Sequence, residues 1–321
     1  MKRALIIAVA GILSLFLCAC QSEAVTTAKK AYAEANYEEV VTALAEEEIT
    51  DAEVANMLLV SKIYVAYDSG EYQEVVNMLS DGETVSPEME EILAISKANL
   101  AYKEEQYHEV ISLLQTVNNY AENELYKKAI EVATNNAIAS YDIKSLVDIY
   151  GMDASIEQNV YQQITNACAD FNYDAFCFME GLIGSLSEGN LKDVLKSYSA
   201  ANQKNKTKAF MKGEWKIIYD EEGQDIGIVK LHVHEEDEKC VGFLALVSEF
   251  MKDYHYEEND VYWQEFVFEG NQPVSVYNTT RYSNGTIGGK VASVELDMEK
   301  GEMTIHVTGT VSPDRVYTKV S

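Results

Sequence analysis

Two histidines alternate along one stretch of the chain, His232 and His234, and three carboxylates follow at once, Glu235, Glu236 and Asp237. Histidine-x-histidine on one strand face is a spacing that metal ions use. A third histidine or a longer ligand motif is missing, so the pair is read as a solvated strand and no metal is expected. The acidic run Asp220-Glu221-Glu222-Gly223-Gln224-Asp225 lacks the spacing of a calcium loop and reads as a hairpin turn. Three cysteines sit well inside the chain: Cys168, Cys177 and Cys240. An odd number without Cys-x-x-Cys spacing argues against a disulfide framework and against structural zinc. Cys168 and Cys177 are close enough in sequence to pair in an oxidising compartment, but buried free thiols on helices are the preferred reading. The sequence contains no Gly-x-Ser-x-Gly, His-Glu-x-x-His, phosphate-binding loop or dinucleotide fingerprint. No enzyme activity and no cofactor are expected.

A further cysteine, Cys20, has chemistry of a different kind. Lys2 and Arg3 precede a continuous apolar run from Ala4 to Leu17, which is the anatomy of an export signal and is shorter than the about 20 residues that span a bilayer. The following Leu17-Cys18-Ala19-Cys20 resembles the bacterial lipobox, in which a small residue precedes a cysteine that is lipidated and becomes the N-terminus. The resemblance implies a bacterial lipoprotein with signal peptide 1–19, a lipidated N-terminus at 20–23, and a mature chain on the extracytoplasmic face of the cell membrane. Each lipid CH₂ buried is worth roughly 0.8 kcal/mol, and more than one chain is needed for stable anchoring. The sequence has 25 basic and 53 acidic residues, a net charge of −28 that falls by two, to −30, when Lys2 and Arg3 leave with the signal. Such a surface repels phosphate backbones and anionic headgroups, which excludes nucleic acid as a partner and leaves the lipid to hold the membrane unaided.

The elements that follow are repetitive. Identical or similar residues recur 35 positions apart: Ala31, Ala66 and Ala101; Tyr32, Tyr67 and Tyr102; Tyr37, Tyr72 and Tyr107; Glu39, Glu74 and Glu109; Val40, Val75 and Val110; Val41, Val76 and Ile111; Leu44, Leu79 and Leu114. Within one unit, Tyr72, Val75, Val76 and Leu79 form an apolar helical stripe, and a preceding helix ends near Tyr67. A period near 34 residues belongs to stacked helical hairpins, none of which buries its apolar face alone. Ala66-Tyr67-Asp68-Ser69-Gly70-Glu71-Tyr72-Gln73-Glu74 resembles tetratricopeptide repeats, and Pro87 falls where that family often places a proline. Val40, Val75 and Val110 depart from it, standing where the family usually has alanine. The resemblance implies an α-solenoid over 24–205 of five to six hairpins. Later helices are expected at 126–141, 145–150, 157–171, 173–187 and 191–201.

The polar, lysine-rich stretch 200–208 reads as a linker into a second domain, 206–321. There the apolar period drops from 3.6 towards 2, as Val229, Leu231 and Val233 show. Strands are expected at 214–219, 226–234, 240–248, 260–268, 273–282, 287–297, 302–311 and 314–320, with Asn284-Gly285 as a type I′ turn. About eight antiparallel strands make a barrel or a sandwich. Phe210-Met211-Lys212-Gly213-Glu214-Trp215 and Asp314-Arg315-Val316-Tyr317-Thr318-Lys319-Val320 resemble the first and closing strands of the lipocalin and fatty-acid-binding superfamily. That resemblance favours the barrel and implies that Arg315 packs across Trp215 to close one end, as a cation–π pair.

The leading functional expectation is therefore a lipid-anchored binding or scaffold protein whose solenoid engages a protein or peptide. The alternative is a carrier of a small apolar ligand in the β domain, with the repeats as spacer. An enzyme acting on envelope polymers is the least supported class, because the sequence offers no carboxylate pair for it.

Overall fold

The computed structural model describes residues 22–80, 86–219, 226–234, 238–307 and 314–320. The signal segment, Cys18 and Cys20, the run 220–225 and the carboxylates 235–237 lie outside them. The chain divides into two compact units, 1–129 and 130–321.

The first unit is helical: α1 (Glu23–Ala33), α2 (Tyr37–Ala43), α3 (Ala52–Asp68), α4 (Tyr72–Ser80), α5 (Pro87–Lys103), α6 (Tyr107–Leu114) and the start of α7 (Glu124–Ala139). Each of the first three helix pairs turns in the same way. The residues at 35, 70 and 105 take left-handed φ values of 56°, 74° and 60°. The next backbone N–H then reaches back to the alanine of the repeat: Asn36 to Ala31, Glu71 to Ala66 and Gln106 to Ala101, each at 2.9 Å. This is the Schellman closure, which satisfies carbonyls that the helix end leaves open. The two repeat tyrosines clasp the turn edge to face, with ring centroids 5.9 Å apart for Tyr32 and Tyr37, 6.2 Å for Tyr67 and Tyr72, and 5.6 Å for Tyr102 and Tyr107. Behind the clasp, Val40, Val75 and Val110 are fully buried, and Leu44, Leu79 and Leu114 are buried beside them. The alanines at 31, 66 and 101 are buried beside the turn, and the half-buried tyrosine that opens each second helix packs its ring over it.

The second unit begins within α7 and continues through α8 (Ile143–Met152), α9 (Glu157–Ala169), α10 (Tyr173–Ser185), α11 (Asn190–Ala201) and α12 (Gln203–Met211). The turn device persists after the sequence period has lapsed. Tyr141 and Phe171 are left-handed at φ 55° and 52°, and Asp142 N donates to Ala137 O at 2.8 Å. Where a linker was expected, α12 is a helix. Its lysines are engaged rather than solvated: Lys206 pairs with Glu180 at 2.6 Å and Lys208 with Glu238 at 2.8 Å, while Lys204 lies 5.4 Å from the Phe268 ring. Composition alone reads such lysines as exposed.

Eight strands follow: β1 (Gly213–Tyr219), β2 (Gly227–Val233), β3 (Cys240–Val247), β4 (Val261–Glu269), β5 (Gln272–Arg281), β6 (Ile287–Asp297), β7 (Glu302–Val307) and β8 (Arg315–Lys319). They form a closed antiparallel barrel in sequence order, sealed by β1 against β8. The barrel therefore replaces the sandwich alternative. Side chains fill its interior: Trp215, Val229, Leu231, Leu244, Trp263, Phe266, Val276, Ala292, Met303, Ile305 and Tyr317 belong to one buried cluster. The turn at Asn284-Gly285 differs from the expectation. Gly285 alone has positive φ (81°), and five residues separate β5 from β6, so the loop is longer than a two-residue type I′ turn. The Asn284 side chain closes it by accepting from Thr286 N at 3.1 Å.

Candidate functional site

One end of the barrel holds a cavity of about 260 Å³ lined by Phe250, Met251, Tyr254, Tyr256, Tyr262, Asn278, Thr279, Thr280, Arg281, Val307 and Arg315. A short helix after β3, the loop after it and the ends of β4, β5, β7 and β8 build it. A single helical turn, α13 (Glu249–Lys252), leaves β3 with Ser248 as its cap and supplies Phe250 and Met251. The loop that follows carries Tyr256, whose hydroxyl donates to Thr279 O at 3.1 Å and accepts from Arg281 N at 2.8 Å. That one phenol fastens the loop to the end of β5. Burial pushes its pKa up to about 12.

Arg281 completes the fastening from the same strand end. Its Nη1 donates to His255 O at 2.9 Å, its Nη2 pairs with Asp260 Oδ1 at 2.6 Å, and its guanidinium lies 5.6 Å from the Tyr256 ring centroid. Arg315, at the start of β8, donates from Nη1 to Tyr262 Oη at 2.7 Å. Tyr317 stands two residues on, wholly buried, and burial drives its hydroxyl well above the ordinary phenol range. Thr279 is only 6% exposed, and its Oγ1 makes no hydrogen bond with any described residue. The charged side chains that line the cavity are thus two arginines, set among tyrosines and a half-buried apolar wall.

The residues singled out from sequence fall in several places. Tyr37, Tyr72 and Tyr107 open α2, α4 and α6, and Val75, Val110, Leu79 and Leu114 are buried inside their hairpins, so these are parts of the helical framework. Trp215 is fully buried and donates from Nε1 to Met211 O at 2.8 Å. The strand register sets Lys319, and not Arg315, opposite Trp215. Arg315 lies four residues away, roughly 13 Å along the strand. The cation beside Trp215 is Lys319, 4.7 Å from the centroid of the Phe210 ring, which itself packs on Trp215 at 6.1 Å. Lys319 also donates to Phe210 O, and burial lowers its pKa.

His232 rests edge-on against Phe243 at 5.5 Å, and burial lowers its pKa. Among the described residues no group of three histidines, cysteines or carboxylates is arranged to hold a metal. Cys168 and Cys240 are buried free thiols, each pushed up to about 12 by burial. Cys177 is also free but exposed, so of the two helical thiols expected to be buried only Cys168 is.

Sequence reasoning missed Arg281, Tyr256 and Thr279. Composition carried a signal for the first: only three arginines occur in the chain, at 3, 281 and 315. Comparison with family models, curated proteins and solved structures finds no match to this chain.

Proposed function

We propose that this chain is a lipid-anchored extracytoplasmic binding protein whose helical hairpins form a tetratricopeptide-like solenoid that engages a protein or peptide partner. The observation that supports it is the repetition of one turn device at 35-residue spacing, with the same alanine acceptor, left-handed residue and tyrosine pair in three hairpins. Repeated hairpins that share a stacking geometry offer an extended surface, which is how such arrays bind partners. The anchor rests on the lipobox-like segment, and among the described residues no helix is long and apolar enough to cross a membrane. The mature chain, recovered with crosslinking from detergent-solubilised membranes, should bring down one partner in constant ratio. Tyr72→Ala, which loosens a hairpin, should reduce that recovery. Absence of any specific partner under both conditions would remove the reading. For the anchor, a fatty-acid analogue should label the wild type and not Cys20→Ser; labelling of both would put the acyl chain on another residue, and labelling of neither would make the protein secreted.

A second reading, carriage of a small ligand by the barrel, is favoured by the cavity beside α13. Among the described residues a buried cluster fills the interior, and the cavity lies at one end of the barrel.

A further inference from the structure

The chain has 25 basic residues, and all but three are lysines. Arg3 precedes the apolar leader, and the other two arginines, Arg281 and Arg315, line the same cavity although 34 positions separate them in sequence. Everywhere else that the described fold uses a cation, in the Glu180, Glu188 and Glu238 pairs and over the rings of Phe210 and Phe268, a lysine does the task. A guanidinium differs from an ammonium in being planar and permanently charged, with a fork of donors that matches two oxygens of one oxyanion. Fastening the loop to β5 accounts for part of Arg281, through His255 O and Asp260. Arg315 reaches the same cavity from β8, where its Nη1 donates to Tyr262 Oη. Neither fastening engages Thr279 Oγ1, buried in the lining with no hydrogen-bond partner among the described residues. Set in a cavity lining, such a hydroxyl is a polar group that a bound oxyanion would satisfy.

Building on the reading of the barrel as a ligand carrier, we propose that this cavity binds a small organic oxyanion, a carboxylate or a phosphate monoester on a compact apolar or aromatic body. The guanidinium groups and the Thr279 hydroxyl take the oxyanion, and Phe250, Met251 and Val307 take the body. At about 260 Å³ the cavity lies below the range that holds drug-sized ligands, so the ligand is small. Among the described residues one buried apolar cluster fills the barrel interior, so a long alkyl chain is not part of the proposed ligand. In a chain of net charge −28, a cavity whose charged lining is two arginines, one of them paired with Asp260, repels an anion less than the rest of the surface does.

The test titrates the full mature chain in detergent with three probes of one shape: phenylacetate, phenyl phosphate and the uncharged phenylacetamide. One of the two anions should bind saturably, and the amide at least about tenfold more weakly; whichever anion binds tighter identifies the source of the oxyanion. Arg281→Lys and Arg315→Lys, which keep the charge and lose the fork, should each weaken that anion by about tenfold in proteins that still melt cooperatively. Thr279→Val, which leaves both guanidinium groups in place, should weaken it by a smaller factor. Equal binding of amide and anion would overturn the oxyanion and leave a neutral-ligand carrier. No binding by any probe to millimolar concentration would overturn both. Unchanged affinity in all three variants would place the anion elsewhere on the protein and overturn the assignment.

Discussion

Gly70 closes its helical hairpin at φ 74°, while Ala35 and Glu105 make the same turn with side chains present. A left-handed L-residue costs roughly 1–2 kcal/mol, so the three repeats differ in local strain although their hydrogen bonds match. A Cβ added at Gly70 would meet nothing within 4 Å, so Gly70→Ala isolates the backbone term and should destabilise the first unit by about 1 kcal/mol. Glu105→Gly should do the reverse, raising the urea midpoint by a similar or smaller amount after the added freedom of the unfolded chain is subtracted. A fall in midpoint for Glu105→Gly would mean that its side chain, and not the backbone angle, holds the turn. The tyrosines give a pH signature of opposite origin. Tyr256 is raised to about 12 and Tyr317 is raised by burial, so the folded state keeps protons that the unfolded state releases above its ordinary phenol pKa near 10. Their contribution is fully present below pH 10 and is lost as pH climbs from about 10 towards 12. Melts over that range should show unfolding together with tyrosinate absorbance at 295 nm. In Tyr256→Phe the alkaline slope should be shallower, and an unchanged slope would assign it to other groups.

Individual elements were legible from sequence where one physical signal dominated. The strands fall close to expectation because their alternation is imposed by a filled barrel interior on one side and water on the other: Val229 and Leu231 point in, Lys230 and His232 out. The repeat was legible because seven positions recur in register, and the structure supplies the reason for five: the alanine that accepts a turn hydrogen bond, the two tyrosines that clasp the turn, and the valine and leucine buried behind it. Helix α12 was not legible, since Gln203-Lys204-Asn205-Lys206-Thr207-Lys208 has the composition of a linker. Its lysines are matched by Glu180, Glu238 and Phe268, which are remote in sequence. The cavity was hidden for the same reason: Tyr256, Thr279, Arg281 and Arg315 meet only when β5 and β8 are placed in the barrel. One element boundary is fixed by backbone approach. Gly227 opens β2 at φ 95°, and a Cβ there would stand 1.9 Å from Leu246 O on β3. Gly227→Ala should therefore cost more than the roughly 1 kcal/mol of conformation alone, by several-fold, and should shift the melting of the second unit only. A loss no larger than that of Gly70→Ala would show that the β2–β3 start relaxes freely.

At the scale of the molecule, the sequence places a domain boundary at 205/206, whereas compactness places 130–321 in one unit. The difference is physical, because the last helix completes the barrel. Met211 O is the acceptor for the buried indole of Trp215, and Phe210 O accepts from Lys319. Lys208, 4% exposed, is neutralised by Glu238 and lies 5.7 Å from the Phe171 ring on the helical side. Removing α12 would leave the Trp215 donor unsatisfied, at about 1–3 kcal/mol, and would expose the face on which Phe210 packs. Total stability of a domain is only about 5–15 kcal/mol, so losses of this size decide whether the barrel persists. A fragment 124–321, which keeps α7 whole, should melt in one cooperative transition followed by Trp215 and Trp263 fluorescence. A fragment 213–321 should melt at least several degrees lower or without cooperativity. Lys208→Met in the longer fragment separates charge from packing. Breaking a buried pair leaves Glu238 behind, but that carboxylate is half exposed and returns to water, so the variant should be close to neutral or slightly stabilising. If 213–321 instead unfolds at the temperature of 124–321, the barrel is self-sufficient and the helix is an appendage, and the boundary read from composition would then describe the folding unit better than compactness does.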